Sequence, residues 1–355
     1  MREIQIDLAV ILKNYRKLKE LASGSLVMAV VKANAYGHGM HEVAEALDDA
    51  GVDYLGVADL NEALELRMAG IKTNILCWIL SPEDDFELAV SQNIELGVSS
   101  LEVLEGLPEG AKVHLKVDTG LGRNGFTQGD FGKALEFLAE SKLYPEGLFS
   151  HLSNASEGDD LAQLELFEKA NVMALQKGVN FKLRHLAASA ATLKHPQMHF
   201  DMVRCGIAVY GLSPFEDEPV DPGLLQPAMR VVANVVNVKR VPKGQGVSYG
   251  YRYVTKMETT LVLVPFGYAE GMPRISENHE VLIQGKLYPV VGRVAMDQFI
   301  VDVSDAKIRI GDEVVIFGDG QKGEPTAQSL GESSGSINYE VVTRIGGRAP
   351  RVYKI

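Results

Sequence analysis

Apolar and polar positions follow two regimes along the 355 residues. From residue 8 to about 210, short apolar runs alternate with longer amphipathic stretches. The runs are Leu26–Val31, Tyr54–Ala58, Asn74–Leu80, Glu95–Val98, Val113–Val117, Gly147–His151, Lys182–Ala187 and Met202–Gly206. Between them, Met40–Ala50, Asn61–Ala69, Glu83–Ser91, Asp130–Ser141 and Leu161–Lys177 repeat apolar residues at about the helical period. In the last of these, Leu164, Phe167, Val172 and Leu175 mark the face expected to be buried. Strand–helix alternation predicts parallel strands with crossover helices, and eight such units fit an α/β fold of the (β/α)8 TIM-barrel type. An open doubly wound sheet is the alternative. Beyond Tyr210 the texture changes. Gly211–Gln226, rich in proline, glycine and acids, reads as a linker. Runs rich in valine and isoleucine follow, at Val231–Val241, Thr259–Pro265, Val281–Ile283, Tyr288–Val294, Phe299–Val303 and Glu313–Phe317. With one short helical pattern, Thr326–Ser333, they predict a mostly β C-terminal domain. The expected division is 1–222 and 223–355, with the opening strand, residues 3–6, available to pair with the second domain.

Composition narrows the class. Hydrophobic residues make up 46% and charged residues 23%, an ordinary globular balance with enough apolar surface for a large core. The net charge of −12 and the lack of a basic stripe argue against a nucleic-acid partner. No apolar run is long enough to cross a membrane, and the first residues lack a leader's basic start and apolar stretch. Cys77 and Cys205 sit in apolar stretches, as expected of buried thiols in a reducing compartment. A cytoplasmic location is expected.

Enzyme barrels carry their chemistry at the C-terminal ends of their strands. The first strand ends in Val31-Lys32-Ala33-Asn34-Ala35-Tyr36-Gly37-His38-Gly39. Lys32 either reaches solvent at the barrel mouth or, if burial lowers its pKa, offers a nucleophilic amine. His38, His41 and Glu42 do not follow a known zinc pattern, and no metal is expected. The fifth strand ends in Leu115-Lys116-Val117-Asp118-Thr119-Gly120-Leu121-Gly122-Arg123. With Gly125 this contains a formal GxGxxG, but the acids about 20 residues on, Glu136 and Glu140, fall in a helical pattern. The dinucleotide reading is therefore weak. The sixth strand ends in Ser150-His151, a histidine that is either core or catalytic. The loops after the last two strands, where barrels commonly bind phosphate, offer the Ser189 hydroxyl and the Gly206 and Ile207 backbone N–H groups, next to Arg204.

The segments Val31–Gly39 and Leu115–Arg123, together with Gly292-Arg293-Val294-Ala295-Met296-Asp297-Gln298, resemble the corresponding motifs of the alanine racemases. The likeness extends over nearly the whole chain. It implies a pyridoxal 5'-phosphate cofactor on Lys32 and a second base, Tyr249, on the β domain. It also implies cofactor contacts from Tyr36, His151, Ser189, Arg204, Gly206 and Ile207. Arg123, Met296 and Tyr268 are implied on the substrate side, and Lys116 as a lysine carbamylated in many members. An arginine at Arg204 keeps its own proton and so leaves the pyridine nitrogen unprotonated. The family further implies homodimers with shared active sites and supply of D-alanine for the cell wall. Three positions depart from the common pattern. Ala188 stands for a frequent asparagine, Gly347 for a frequent tyrosine, and Ser156 for a corridor aspartate. They leave open a serine or broad-specificity racemase. A non-catalytic cofactor-binding regulator lacks the β domain, and a decarboxylase of this fold is disfavoured by Arg204.

Overall fold

A computed structural model describes residues 2–215, 221, 223–275 and 278–354. They fall into two compact units. One contains Tyr15–Ala35 and Met40–Val209; the other takes the chain up to Asn14, Tyr36–Gly39 and the chain from Tyr210 onward. Of the expected linker, residues 216–220 and 222 lie outside the described residues, as does the junction expected at 222.

The first unit is a nearly closed barrel of eight parallel strands. In chain order they are Leu26–Val30, Tyr54–Val57, Asn74–Cys77, Ile94–Val98, Lys112–Lys116, Tyr144–Phe149, Leu183–His185 and Met202–Cys205. Consecutive strands pair from the first to the seventh, and the first also pairs with the last, Val27 opposite Val203. Between the seventh and eighth strands, Arg204 N–H donates to the Ala187 carbonyl at 2.9 Å and Asp201 N–H to the Arg184 carbonyl at 3.0 Å. The open doubly wound alternative is thereby excluded. Crossover helices start where a side chain satisfies an otherwise orphaned amide. Asp59, Asp85, Ser100, Thr127 and Ser156 each accept from the N–H three residues on.

One helical face differs from expectation. In Glu157–Gln176 the buried side chains are Asp160, Gln163, Phe167, Ala170 and Ala174, whereas Val172 and Leu175 are exposed. Small and polar residues fill this stripe. Gln163 bonds Ser153, with its Oε1 accepting from the Ser153 N–H at 3.0 Å, and Asp160 accepts from Asn154 N–H at 3.1 Å. Hydrophobicity alone therefore places Phe167 correctly but Val172 and Leu175 on the wrong side.

The second unit is built on a nine-stranded sheet. Its spatial order is Asn237–Val241, Thr259–Val264, Phe299–Ser304, Lys286–Val291, Glu280–Ile283, Glu313–Phe317, Met229–Asn234, Arg2–Asp7 and Arg351–Lys354. The opening strand lies between Met229–Asn234, antiparallel, and Arg351–Lys354, parallel. The run Val231–Val241, which reads as one strand, is two. Val235 N–H bonds the Asp312 carbonyl and Val236 N–H the Leu263 carbonyl, so the halves join different neighbours. A small hairpin, Gly246–Val247 with Tyr253–Val254, projects Tyr249 at its turn.

Candidate active site

Lys32 ends the first barrel strand and begins a turn of unusual hand. Ala33, Asn34, Ala35 and Tyr36 have φ between 52 and 55°, in the left-handed region. Each such residue costs roughly 1–2 kcal/mol when it carries a Cβ. Local bonds hold the turn: Ala33 N–H donates to Glu62 at 2.7 Å, Met40 N–H to the Asn34 side chain at 2.8 Å, and Ala35 N–H to the Val31 carbonyl at 2.8 Å. Glu62 also accepts from Ala58 N–H, which ties the turn to the next strand end. Burial, the positive charge of Arg123 and, in opposition, Glu62 act on the Lys32 amine. The net effect lowers its pKa and favours the free amine.

Further cations share the barrel unit. Lys116 is almost fully buried, with its ammonium 5.7 Å from the centre of the Phe149 ring. Burial first, then Arg204 and Arg123, pushes its pKa down to about 8. Arg204 is buried, and burial brings it down to about 10, still a cation at neutral pH. Its guanidinium donates to the carbonyls of His185 (2.8 Å), Ser150 (2.6 Å) and Leu186 (3.1 Å), and to ring nitrogens of His185 (3.2 Å) and His151 (3.3 Å). No carboxylate pairs with it among the described residues. His151 accepts from Arg204 through Nδ1. Burial and the nearby cations hold its pKa well below the usual range, so it is neutral with its proton on Nε2. Ser189 Oγ accepts from the backbone N–H groups of Gly206 at 3.0 Å and Ala208 at 3.4 Å, with buried Ile207 between them. Asp118 accepts from Gly120 and Gly122 N–H, and the loop returns to its own strand through Phe126 N–H on the Lys116 carbonyl. The glycine-rich segment is thus a closed loop, not a strand-to-helix dinucleotide turn.

The second unit carries the remaining candidates. Tyr249 is 71% exposed and lines a groove of about 460 Å³ with Tyr251, Arg293 and Gln298. Ser248 donates to the Arg293 carbonyl at 2.6 Å and anchors the hairpin. Tyr268 and Met296 lie on paired loops, because Ala269 N–H bonds the Met296 carbonyl and Tyr268 N–H the Ala295 carbonyl. A Cβ on Gly267 would come within 2.1 Å of the Met296 carbonyl oxygen, so the pairing needs glycine there. The Tyr36 ring lies 5.2 Å from that of Tyr210 and 6.2 Å from that of Tyr339. His38 stacks on Tyr210, whereas His41 belongs to the barrel unit and pairs there with Glu65.

Two family models cover the chain: the alanine racemase N-terminal domain over residues 6–214 and the alanine racemase C-terminal domain over residues 228–353. The chain belongs to the alanine racemase family. It is 45% identical to the alanine racemases of Thermobifida fusca and Streptomyces coelicolor, spanning 99% and 98% of this chain and 97% and 95% of theirs. Alanine racemase structures from Streptomyces lavendulae and Streptomyces coelicolor superpose with TM-scores of 0.94 and 0.95, both at 42% identity. They cover 100% and 99% of this chain, and 97% of each of theirs.

Alanine racemases are isomerases that depend on pyridoxal phosphate. The donor set of the barrel unit suits that cofactor: an amine for its aldehyde, the Ser189 hydroxyl, its oxygen held by two backbone amides, for its phosphate, and an arginine with no acid beside it among the described residues for its pyridine nitrogen. Two of the three departures from the expected racemase pattern have local causes, and nothing in the structure explains Ala188. Ser156 caps the helix Glu157–Gln176. Gly347 has φ of 60°, and a Cβ there would come within 2.2 Å of the Ala269 carbonyl oxygen. Ala188 precedes the helix Ser189–Lys194 without a side-chain cap. The left-handed turn, Glu62 and the Ala208 amide escaped the sequence reading. No glycine marks the turn, and the other two act only through tertiary contacts.

Proposed function

We propose that this chain interconverts L-alanine and D-alanine, with pyridoxal 5'-phosphate held by Lys32. Arg204, a buried cation with no acid partner among the described residues, carries this reading. The cofactor, when bound, supplies the electron-withdrawing ring that acidifies the Cα hydrogen. Inverting a centre takes one group on each side. Lys32, whose amine is favoured by burial, takes or returns the Cα proton on one side. Tyr249 does so on the other. A phenol is a weak acid and needs support as a base, which the Nε2–H of neutral His151 supplies to the phenolate oxygen. Ser189 with the Gly206, Ile207 and Ala208 backbone, and Tyr36, hold the phosphate. Arg123 orients the substrate carboxylate, and Tyr268 and Met296 shape the approach. The Lys116 amine adds carbon dioxide, forming an N–C bond and releasing one proton, and the resulting carbamate orients Arg123.

The exposure of Tyr249, Tyr251 and Met296 supports a homodimer in which Tyr249 serves Lys32 of the partner subunit. Division into a barrel that carries Lys32 and a β domain that carries Tyr249 fits that arrangement. Buried free thiols at Cys77 and Cys205 support a cytoplasmic location, and supply of D-alanine for cell-wall synthesis follows from the racemase reading. The test is deuterium wash-in at Cα for a panel of L-amino acids in D2O with the cofactor-loaded protein. Exchange with loss of optical activity for alanine is expected. A preference for serine, or exchange with retention, overturns the assignment.

A further inference from the structure

Barrel interiors are normally filled by branched apolar side chains. Here a row of polar groups crosses the interior on four strands. Glu95 lies second in Ile94–Val98, His114 third in Lys112–Lys116, His185 last in Leu183–His185, and Arg204 third in Met202–Cys205. All four are buried. They form one hydrogen-bonded chain. Arg204 Nη1 lies 3.2 Å from His185 Nδ1, His185 Nε2 is 2.9 Å from His114 Nδ1, and His114 Nε2 is 2.9 Å from Glu95 Oε2.

We infer that Glu95 is a positioning residue: acting through His114 and His185, it fixes the proton pattern that holds Arg204 as a cation with no carboxylate beside it. The inference rests on the proposed role of Arg204. A guanidinium has only donors, so His185 Nδ1 must accept. The His185 proton is then on Nε2 and points to His114 Nδ1, which accepts in turn. The His114 proton is on Nε2 and ends at the Glu95 carboxylate. Every bond runs the same way. Reversing any link, or protonating His114 twice, would set a His185 N–H against an Arg204 N–H. Burial drives His185 well below the usual histidine range, in keeping with a neutral ring.

The rings have little freedom to rearrange. Phe149 stacks on His185 with centroids 4.8 Å apart and planes 5° from parallel. A Cβ on Gly147 would come within 1.9 Å of His114 Nδ1, so only glycine leaves room for that imidazole. Glu95 also faces Lys112 at 3.6 Å and the Tyr54 hydroxyl at 3.5 Å, both through Oε1. These are long contacts, whereas the 2.9 Å bond to His114 lies in the range of charge-assisted hydrogen bonds. An uncompensated buried cation is costly, and the charges that act on neighbouring Lys116 are the cations Arg204, Arg123 and Lys32 against the single anion Asp118. Glu95 supplies the balancing charge at a distance. An acid beside Arg204 would compete for its donors and offer a proton at the cofactor ring. An acid two imidazoles away balances the charge without doing either.

The test combines side-chain 15N NMR of 15N-histidine-labelled protein with steady-state kinetics, for wild type, Glu95→Gln and Lys112→Gln. In wild type, His114 and His185 should both be neutral with the proton on Nε2. Glu95→Gln keeps the side-chain length but removes the charge. It should scramble these tautomers and lower kcat about 10- to 100-fold, the loss typical when an orienting group is removed, with KM for alanine nearly unchanged. Lys112→Gln, which removes only the second ion pair, should leave tautomers and kcat as in wild type. Wild-type tautomers and kcat in Glu95→Gln overturn the inference. So does a wild-type His185 protonated on Nδ1, a result that needs no variant to fold. If wild type exchanges no Cα hydrogen, the racemase reading fails, and the relay is judged on the tautomers alone.

Discussion

Lys32 and Lys116 stand at the ends of two barrel strands, and burial acts on both. Replacing Lys32 with alanine should abolish the visible absorbance of the bound cofactor in purified protein. A variant that keeps the wild-type band refutes Lys32 as its anchor. For Lys116, the folded-state pKa of about 8 lies below its ordinary value of 10.5. Between these values the unfolded chain holds the proton and the folded one does not, so stability should rise with pH across that window. Lys116→Met should flatten that rise. Urea unfolding of both proteins from pH 7 to 10.5, in buffer free of carbon dioxide, measures it. Identical slopes would show that this amine does not titrate as inferred. Neither lysine announces its surroundings in sequence. A strand-final lysine is legible, but the neighbours that shift it come from other strands.

Among the elements, the helix Glu157–Gln176 shows how far patterning reaches. Its existence and approximate span were legible from periodicity, whereas Ser156, read only as a departure from the family pattern, proves to be its cap. Its buried face was not legible, because Asp160 and Gln163 enter the interior on bonds to Asn154 and Ser153 that no periodicity records. Ser156→Ala should cost about 1 kcal/mol of stability, and Ser156→Asp, which still caps, should cost little. Equal losses by chemical denaturation would contradict the capping role. The loop at Gly347 gives a sharper case. Gly347→Tyr, the residue that the family resemblance implies there, should destabilise by about 1–3 kcal/mol, because φ is positive and the Ala269 carbonyl occupies the place of a Cβ. Undiminished thermal stability would overturn that account. The left-handed turn after Lys32 belongs to the same lesson. Four non-glycine residues adopt a conformation that local propensity opposes, held by Glu62 and Asn34.

At the scale of the whole molecule, the two units each carry part of the proposed chemistry. Tyr249 stands exposed on its hairpin, and the lysine it is proposed to serve belongs to a second copy. Mixing inactive Lys32→Ala with inactive Tyr249→Phe protein should restore up to a quarter of wild-type activity per site if hybrids form at random. Proven hybrids without activity would rule out a shared site. Conserving two lesions in one chain, Lys32→Ala with Tyr249→Phe, mixed with wild type provides the arithmetic control, since each hybrid then retains a single site of intact composition only if sites are not shared.

Sequence by itself determined the alternation of strands and helices, the change to β texture after Tyr210, the positions of Lys32, Lys116 and His151 at strand ends and that of Arg204 within the last barrel strand. Each follows from local periodicity or from where the chain must leave a strand. Only the tertiary structure decided how those side chains are solvated and paired. Burial moves the pKa of Lys116, separate strands deliver Glu95, His114, His185 and Arg204 to one hydrogen-bonded row, and carbonyl contacts forbid side chains at Gly347 and Gly267. Desolvation and hydrogen bonding depend on what lies opposite, and residues far apart in the chain settle that.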